Sequence, residues 1–430
     1  MNKKQKIAID RVFGLILSLA LRLPALLLEK TLKRDHCMPP SEAPRRIVVA
    51  KYLGIGSILQ ASPMIRDLKK KYPHSFLIFL SLKANYQLLS RYKFIDHIIC
   101  VDDSTIIRVL FTSLRTALEL IFKRIDLFLD LEAHSTYGSL MCFLSCSKNR
   151  LGFSLEDEDH RAFLYTHLLY LNTSFPIRYC YSQLGQLAGI DPPKDTIEPL
   201  CPDLYEADLN EAQNKIKKIF NFEHLGIIAI NPNASDLRYE RRWNREGFAA
   251  VAKYFAKQGY AVALVGASSE HDYIEGIVKM MDDETGKVRN VAGKFPLLEF
   301  FAFLKHCRLL VTNDSGIMNI GLTLPIPQLL LAGPVDPEQY FMPNTFRTYI
   351  YYQTYCSPCT HYIAVPPCGG DNVCMQQIQY KEVVEFCERL IGGHIVHPKR
   401  NNLYSYHSEI LGVLKNIGVD KKNKLSSTTK

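Results

Sequence analysis

No apolar run in this 430-residue chain is long enough to cross a bilayer uninterrupted. The nearest approach, Val12 to Leu28 (VFGLILSLALRLPALLL), has seventeen residues and includes Arg22 and Pro24. A small-residue cleavage site is lacking too, since Arg22-Leu-Pro-Ala-Leu-Leu-Leu makes a poor one, so a secretory signal is not expected. No RNP or zinc-finger motif is present, which excludes the common nucleic-acid readers. The twelve cysteines are scattered, several of them inside apolar stretches (Cys100, Cys142, Cys146, Cys307). That distribution suits buried thiols in a reducing cytosol rather than a disulfide framework. The metal-carrying pattern Asp-x-Asp occurs only as Asp157-Glu-Asp159, within an acidic run that reads as a solvated loop.

The charged (22%) and hydrophobic (47%) fractions are those of a soluble globular protein, and the length suggests two to three domains. Net charge is +9, with much of it near the ends. Lys3, Lys4, Lys6, Lys33 and Arg34 flank the apolar segment, and Lys399, Arg400, Lys421, Lys422, Lys424 and Lys430 crowd the tail. Such a distribution favours an anionic membrane surface over a nucleic-acid groove. The N-terminal segment is expected to lie as a helix in the membrane interface, with a single span or a buried docking helix as alternatives. Met38-Pro39-Pro40-Ser-Glu-Ala-Pro44 reads as a linker because prolines at this density block helix and sheet.

Beyond the linker, strands and helices alternate. Ile47-Val-Val-Ala, Phe76-Leu-Ile-Phe-Leu, Ile98-Ile-Cys-Val and Leu127-Phe-Leu-Asp130 are predicted strands of a first half. A boundary near Pro192 to Pro202 and a helix from Asp208 to Phe220 lead to a second series. Its strands are Ile227-Ile-Ala-Ile, Ala261-Val-Ala-Leu-Val, Val288-Arg-Asn-Val, Leu309-Leu-Val and Gln328-Leu-Leu-Leu. Continuous apolar runs between helices predict parallel sheets covered on both faces. The expected organisation is a membrane-associating helix and linker (1–43), two Rossmann-like α/β domains (44–205 and 206–395), and a basic, flexible tail (396–430).

Ligands of open α/β sheets bind at the carboxyl ends of strands, and several suggestive turns fall there. Thr312-Asn313-Asp314-Ser315-Gly316 joins a strand to a helix. Asp314 and Ser315 are good N-cap types, Gly316 allows close approach, and the helix N-terminus favours an anion such as a pyrophosphate. Gly333-Pro334-Val-Asp336-Pro337 follows the next apolar run, and either turn alone reads equally as an ordinary strand-to-loop turn. Arg241 and Arg242 are candidates to balance phosphate charge, against a surface role for Arg242 and Arg245 and core packing for Trp243. Glu270 in Gly266-Ala-Ser-Ser-Glu270 suits ribose hydroxyls or, alternatively, the N-terminus of its own helix. Gly54-Ile-Gly56-Ser57 has only the first two glycines of a dinucleotide fingerprint, with Leu59 at the third position, so an NAD site is not expected. Asp130 and Glu132 end a strand and are expected on one side of it, where paired carboxylates raise the pKa of one.

The order of these elements over roughly residues 44 to 390 resembles glycosyltransferase family 9, the lipopolysaccharide heptosyltransferases and their relatives. The resemblance implies the GT-B architecture, two Rossmann-like domains with parallel sheets facing across a cleft. It further implies metal-independent transfer of a heptose or related sugar from a nucleotide-diphosphate donor to a lipopolysaccharide or lipid-linked acceptor. No cofactor is implied, and the location would be cytoplasmic, peripheral to the inner membrane. Donor binding would fall to Ser235, Arg241, Glu270, Asn313, Asp314, Ser315, Gly316 and Asn319, with Gly54, Gly56 and Ser57 on the acceptor side. Two positions depart from the family. Its heptosyltransferases carry an Asp, assigned as base, where this chain has Ser57, and a His where it has Asn319. Some family members with Gly-Ser at this turn carry a similar Asp-Leu-Glu, so Glu132, then Asp130, is the candidate base, with Arg241 assisting. The departures leave two alternatives: a non-catalytic nucleotide-sugar-binding protein of envelope glycan assembly, or a nucleotide-sugar epimerase. Cys356, Cys359, Cys368 and Cys374 are compatible with a structural metal, reduced thiols or a disulfide.

Overall fold

The computed structural model describes residues 36–402 except 134, 156–158, 235–237, 362, 364–365, 367 and 369–370, together with scattered positions between 10 and 27. Two all-parallel sheets organise it. The first contains β1 (Arg46–Ala50), β2 (Phe76–Leu82), β3 (His97–Val101), β4 (Leu127–Asp130), β5 (Asn149–Ser154) and β6 (His167–Tyr170), in the order β3-β2-β1-β4-β5-β6. The second contains β7 (Ile227–Asn231), β8 (Ala261–Leu264), β9 (Val288–Asn290), β10 (Cys307–Asn313), β11 (Gln328–Ala332), β12 (Arg347–Gln353) and β13 (Lys399–Asn402). Its order is β13-β12-β11-β10-β7-β8-β9. Both therefore reverse direction between their first and fourth strands, and such a switch point is where α/β sheets open a ligand crevice.

Alternation along β1 explains why both faces need helices. Ile47 and Val49 pack with Ile58, Leu59 and Ile65 of the helix Ile55–Lys71, whereas Val48 and Ala50 pack with Ala117 and Leu120 of the helix Ile106–Lys123. In the second sheet, Ile228 and Ile230 meet Phe248 and Val251 of the helix Arg245–Lys257. Ile227 and Ala229 meet the helix Leu297–Lys305 through Phe301 and Leu304. One apolar cluster runs from the first half into the second, so the halves share buried surface as well as a cleft.

Polar contacts then set how the halves meet. Gln60 Nε2 donates to Asn319 Oδ1 and to the Tyr340 carbonyl, each at 2.7 Å. The same carbonyl accepts from Arg178 Nη2 at 2.8 Å, and Arg347 Nη1 pairs with Glu198 at 2.6 Å. Gly54 adopts φ +87° at the N-cap of the helix Ile55–Lys71, a region that favours glycine. Gly56 serves close approach instead, because a Cβ there would sit 2.7 Å from Asn319 Nδ2.

The observed structure differs from expectation at three places. β5, β6, β12 and β13 are additional strands. Residues 399–402, expected in a flexible tail, form an edge strand paired with β12; residues 403–430 lie outside the described residues. The N-terminal segment is tied to the first half: Asp10 accepts from the backbone N–H groups of Thr136 and Tyr137, and Leu21 packs by Leu140, Phe143 and Leu164. Ile16, Leu19 and Leu23 nevertheless remain exposed, so docking and an outward apolar face coexist. Among the described residues no helix is long and apolar enough to cross a membrane.

Gly56→Ala should lower stability by about 1–3 kcal/mol by overpacking the contact between halves. Because the clash is with Asn319, the loss should shrink in an Asn319→Ala background. Thermal unfolding of the double-mutant cycle measures this, and equal losses in both backgrounds would contradict it.

Candidate functional site

The loops after β7 and β10, the neighbouring strands at the second switch point, are tied together by asparagines. Asn231 Nδ2 donates to Thr312 Oγ1 at 2.9 Å and to Ser315 Oγ at 2.8 Å. Asn313 Oδ1 accepts from the Trp243 backbone N–H at 3.2 Å, while its Nδ2 donates to the Asn233 carbonyl at 3.4 Å. Asn313 is thus fully buried and holds loops in place, and Asn231 and Asn233 take the positions facing the cleft. Ser315 is the N-cap of the helix Gly316–Leu322, its Oγ accepting from Met318 N. No atom lies within 4 Å of where a Cβ on Gly316 would stand.

That open space is part of a cavity of about 510 Å³. Asn231, Asn233, Ser315 and Gly316 form one wall. Gly266, Ala267, Ser268 and Glu270 form another, and Phe295, Pro296 and Phe300 give an apolar end. Ile55 of the first half closes it, which makes it an interdomain cavity. Its volume is in the range of small-molecule and cofactor sites. Glu270 lines the cavity, and its carboxylate accepts from Ala267 N at 2.7 Å at the start of its own helical segment.

Arg241 faces Asp314, with Nη1 3.0 Å from Oδ2, and its Nε is buried without a hydrogen-bond partner. Arg161, Arg178 and Arg347 carry the same buried Nε, so this feature is not particular to Arg241, which stands behind Asp314 and does not line the cavity. Arg242 instead donates to the Ala234 carbonyl and lies over the Tyr273 ring. Trp243 is core, donating Nε1–H to the Ile378 carbonyl. Asn319 is committed to Gln60 and to the Ser315 carbonyl at 3.0 Å. Ser235 and the acidic pair Asp157 and Glu158 lie outside the described residues.

A second, small pocket of about 100 Å³ opens at the first switch point, between β1 and β4. Lys51, Ser57, Glu132 and Tyr181 line it from the first half, Gln339 and Tyr340 from the second. Glu132 therefore stands on the same pocket as Ser57. Its Oε2 accepts from Lys51 Nζ at 2.6 Å, and its Oε1 accepts from Tyr52 N at 2.8 Å and Leu53 N at 3.0 Å. Burial works against its charge, but Lys51 and the two backbone donors prevail and hold the carboxyl below its ordinary range. Burial likewise opposes the Lys51 charge, and Glu132 outweighs it, raising the ammonium above the lysine range.

Asp130 does not share that side, contrary to the strand-alternation expectation. β4 ends at Asp130, and Glu132 lies beyond it, just before a bend at Ala133. Asp130 is fully buried, accepting from Tyr165 OH at 2.7 Å and from Glu132 N at 3.0 Å, against Gly138 of the helix Thr136–Leu144. Burial pushes its pKa up to about 7, opposed by those hydrogen bonds, with the Glu132 charge a lesser contribution. In the cysteine-bearing segment, burial raises the Cys359 thiol, as do the neighbouring Cys356 and Cys368, and Cys374 is pushed up to about 12. Among the described residues no group of three His, Cys, Asp or Glu side chains is arranged to hold a metal.

The fold and its two facing switch points define a GT-B protein: two Rossmann-like domains with an interdomain cavity. Residues 178–366 match the model of glycosyltransferase family 9 (heptosyltransferase). Lipooligosaccharide heptosyltransferase 2 of Haemophilus influenzae is 33% identical over 162 residues, 37% of this chain and 46% of that protein. Lipopolysaccharide heptosyltransferase 2 of Salmonella typhimurium is 31% identical over 113 residues, 26% of this chain and 32% of that protein. The chain thus spans less than half the length of these curated relatives in the matched region. Two solved structures share the fold over most of the chain. The ADP-heptose lps heptosyltransferase II of E. coli gives a TM-score of 0.65 at 21% identity, covering 80% of this chain and 98% of its own. The family 9 glycosyl transferase of Veillonella parvula gives 0.66 at 23%, covering 81% and 97%.

The raised pKa of Asp130 has a consequence for stability. Its carboxyl holds a proton in the folded chain at pH values where the unfolded chain, with a pKa near 3.8, has lost it. That contribution is full below about pH 4 and is lost as pH rises to about 7. Asp130→Asn, which cannot ionise, should narrow the difference in melting temperature between pH 5 and pH 8. An unchanged difference would show that Asp130 titrates normally.

Proposed function

We propose that this chain is a glycosyltransferase that moves a sugar from a nucleoside-diphosphate donor to an acceptor hydroxyl. Following the relatives' descriptions, the donor is ADP-heptose or a close analogue and the acceptor a lipopolysaccharide or lipid-linked glycan. The observation that carries this reading is the interdomain cavity in which Ser315, Gly316 and Glu270 stand on two walls and an apolar end remains for a base. The nucleotide lies along it, with ribose hydroxyls toward Glu270 and the diphosphate at Gly316. The backbone N–H groups at the start of the helix Gly316–Leu322 take up charge as it leaves, with Arg241 adding positive charge from beside Asp314. Ser235, two residues after Asn233 in sequence, is the hydroxyl assigned to the donor side by the resemblance alone.

In the transfer, an acceptor oxygen bonds to the anomeric carbon as the bond from that carbon to the diphosphate oxygen breaks. The diphosphate departs with the electron pair, and the acceptor proton goes to a base. Glu132, on the pocket shared with Ser57, fills that role. Its depressed pKa keeps it ionised, and a weak base suffices because the attacking hydroxyl becomes strongly acidic as its new bond forms. Lys51 keeps the carboxylate in place, while Ser57 and Asn319 shape the site without titrating. The N-terminal segment, with its exposed Ile16, Leu19 and Leu23, attaches the protein peripherally to the cytoplasmic face of the inner membrane, where such acceptors reside.

Glu132→Gln should reduce turnover by about 10²- to 10⁴-fold with donor affinity nearly unchanged. Near-normal turnover would remove Glu132 from the mechanism. Gly316→Val should abolish nucleotide binding and leave the melting temperature of the protein alone unchanged, since the new side chain enters the cavity and meets no protein atom at its Cβ. Calorimetric titration with ADP measures this; retained affinity would move the diphosphate elsewhere. Donor binding without transfer to any acceptor would favour a non-catalytic binding protein.

A further inference from the structure

The helix Ile106–Lys123 is amphipathic in the wrong sense for a helix that only covers a sheet. Its inward face is short or polar: Thr116, Ala117 and Leu120 are its buried side chains, with Thr112 and Ser113 half-buried beside them. Its outward face holds Ile107, Leu110, Phe111, Leu114, Leu118 and Phe122, spaced by three and four residues into one stripe. Phe122 is 82% exposed, Ile107 79% and Phe111 68%. Scattered surface leucines need no explanation, but a continuous stripe of this size marks an interaction surface.

Charge distinguishes between possible occupants. Arg108, Arg115 and Arg124 are exposed along the same helix and at its C-terminal cap. At that end a cavity of about 460 Å³ is lined by Arg45, Arg46, Arg124 and Lys148, with Glu42 and Asp126 as its acidic members. A second copy of the chain placed symmetrically on this face would bring arginines toward arginines. A bilayer surface offers apolar chains to the stripe and phosphates to the cations. The patch is also continuous with the docked N-terminal segment. Ser113 Oγ and Tyr137 OH are hydrogen-bonded at 2.7 Å, joining this helix to Thr136–Leu144, on which that segment sits.

We infer that the outward face of the helix Ile106–Lys123 is a docking surface for an anionic lipid bilayer, distinct from the N-terminal segment and adjoining it. This goes beyond the transferase reading and does not depend on it. The surface lies on the first, acceptor-side half, and the N-terminus of its helix follows the carboxyl end of β3, the same end of the sheet at which the small pocket opens.

The full-length chain permits a direct test, because its one tryptophan, Trp243, is buried. In Phe111→Trp, emission from the new indole should shift to the blue and fall at least about twofold on vesicles of brominated phosphatidylcholine containing about one third phosphatidylglycerol. It should change little on vesicles of brominated phosphatidylcholine alone. In flotation with the same anionic lipids, combined Phe111→Glu and Phe122→Glu should lower the bound fraction about tenfold while leaving ADP affinity and melting temperature unchanged. No quenching of the new indole, or equal flotation of the double variant and the parent, would overturn the inference. So would sedimentation showing a lipid-free dimer that the double variant dissociates, since the face would then belong to a second copy.

Discussion

Gln60 is the side chain on which the relation of the two halves depends. From the helix of one half it donates to Asn319 and to the Tyr340 carbonyl of the other. A buried amide that lost either acceptor would bear an unpaired donor at a cost of about 1–3 kcal/mol. The bond can form only because Gly56, one turn earlier, has no side chain to hold the helices apart. Once it forms, Ile55 is carried onto the large cavity, and Tyr340 onto the small pocket beside Glu132. The two switch points become neighbouring sites through this contact, supported by Arg178, Arg347 and the shared apolar cluster.

The same contact engages one of the two positions at which the resemblance implies a different residue. Asn319, in place of a histidine, is engaged with Gln60 and the Ser315 carbonyl, and a neutral amide satisfies both where a titrating ring would be charged in part of the pH range. At the other position, Ser57 leaves the small pocket without a carboxylate of its own. The negative charge there comes from Glu132, held ionised by Lys51 and two backbone N–H groups. Charge at the pocket is therefore supplied from the end of β4 instead of from the turn after β1.

Much of the fold was legible because parallel strands covered on both faces are continuous apolar runs, as in Ile47-Val-Val-Ala and Gln328-Leu-Leu-Leu. The strands that escaped notice break that rule. β5 includes the buried Arg150, whose Nε and Nη1 donate to backbone carbonyls of Leu164 and Ser147. β12 is rich in tyrosine, and β13, Lys-Arg-Asn-Asn, is an edge strand with no apolar side chain. Of the loop motifs, Gly266, Ala267, Ser268, Glu270, Ser315 and Gly316 line the cavity, whereas Arg241, Asn313, Asp314 and Asn319 do not, because they are engaged by partners distant in sequence. Asn313 belongs to a conspicuous turn and is structural because Trp243 and Asn233 come to meet it. Asn231 is not among the residues expected at the site, although a polar residue ending a buried strand next to the switch point is a signal for it. Asp130 and Glu132 were placed on one side because the strand was taken to continue; it ends at Asp130, and alternation ends with it. The outward stripe of Ile106–Lys123 also escaped notice, since periodicity alone does not say which way a helix turns its apolar face.

The central claim is that a nucleoside diphosphate occupies the interdomain cavity with its phosphates at Gly316. A crystal structure of the full chain with ADP tests it most directly. Phosphate oxygens are expected at about 3 Å from the backbone nitrogens following Ser315, with the ribose at Glu270 and the base toward Phe295. Density for the nucleotide at the basic cavity beside Arg46 and Lys148, with the Gly316 turn unoccupied, would contradict it.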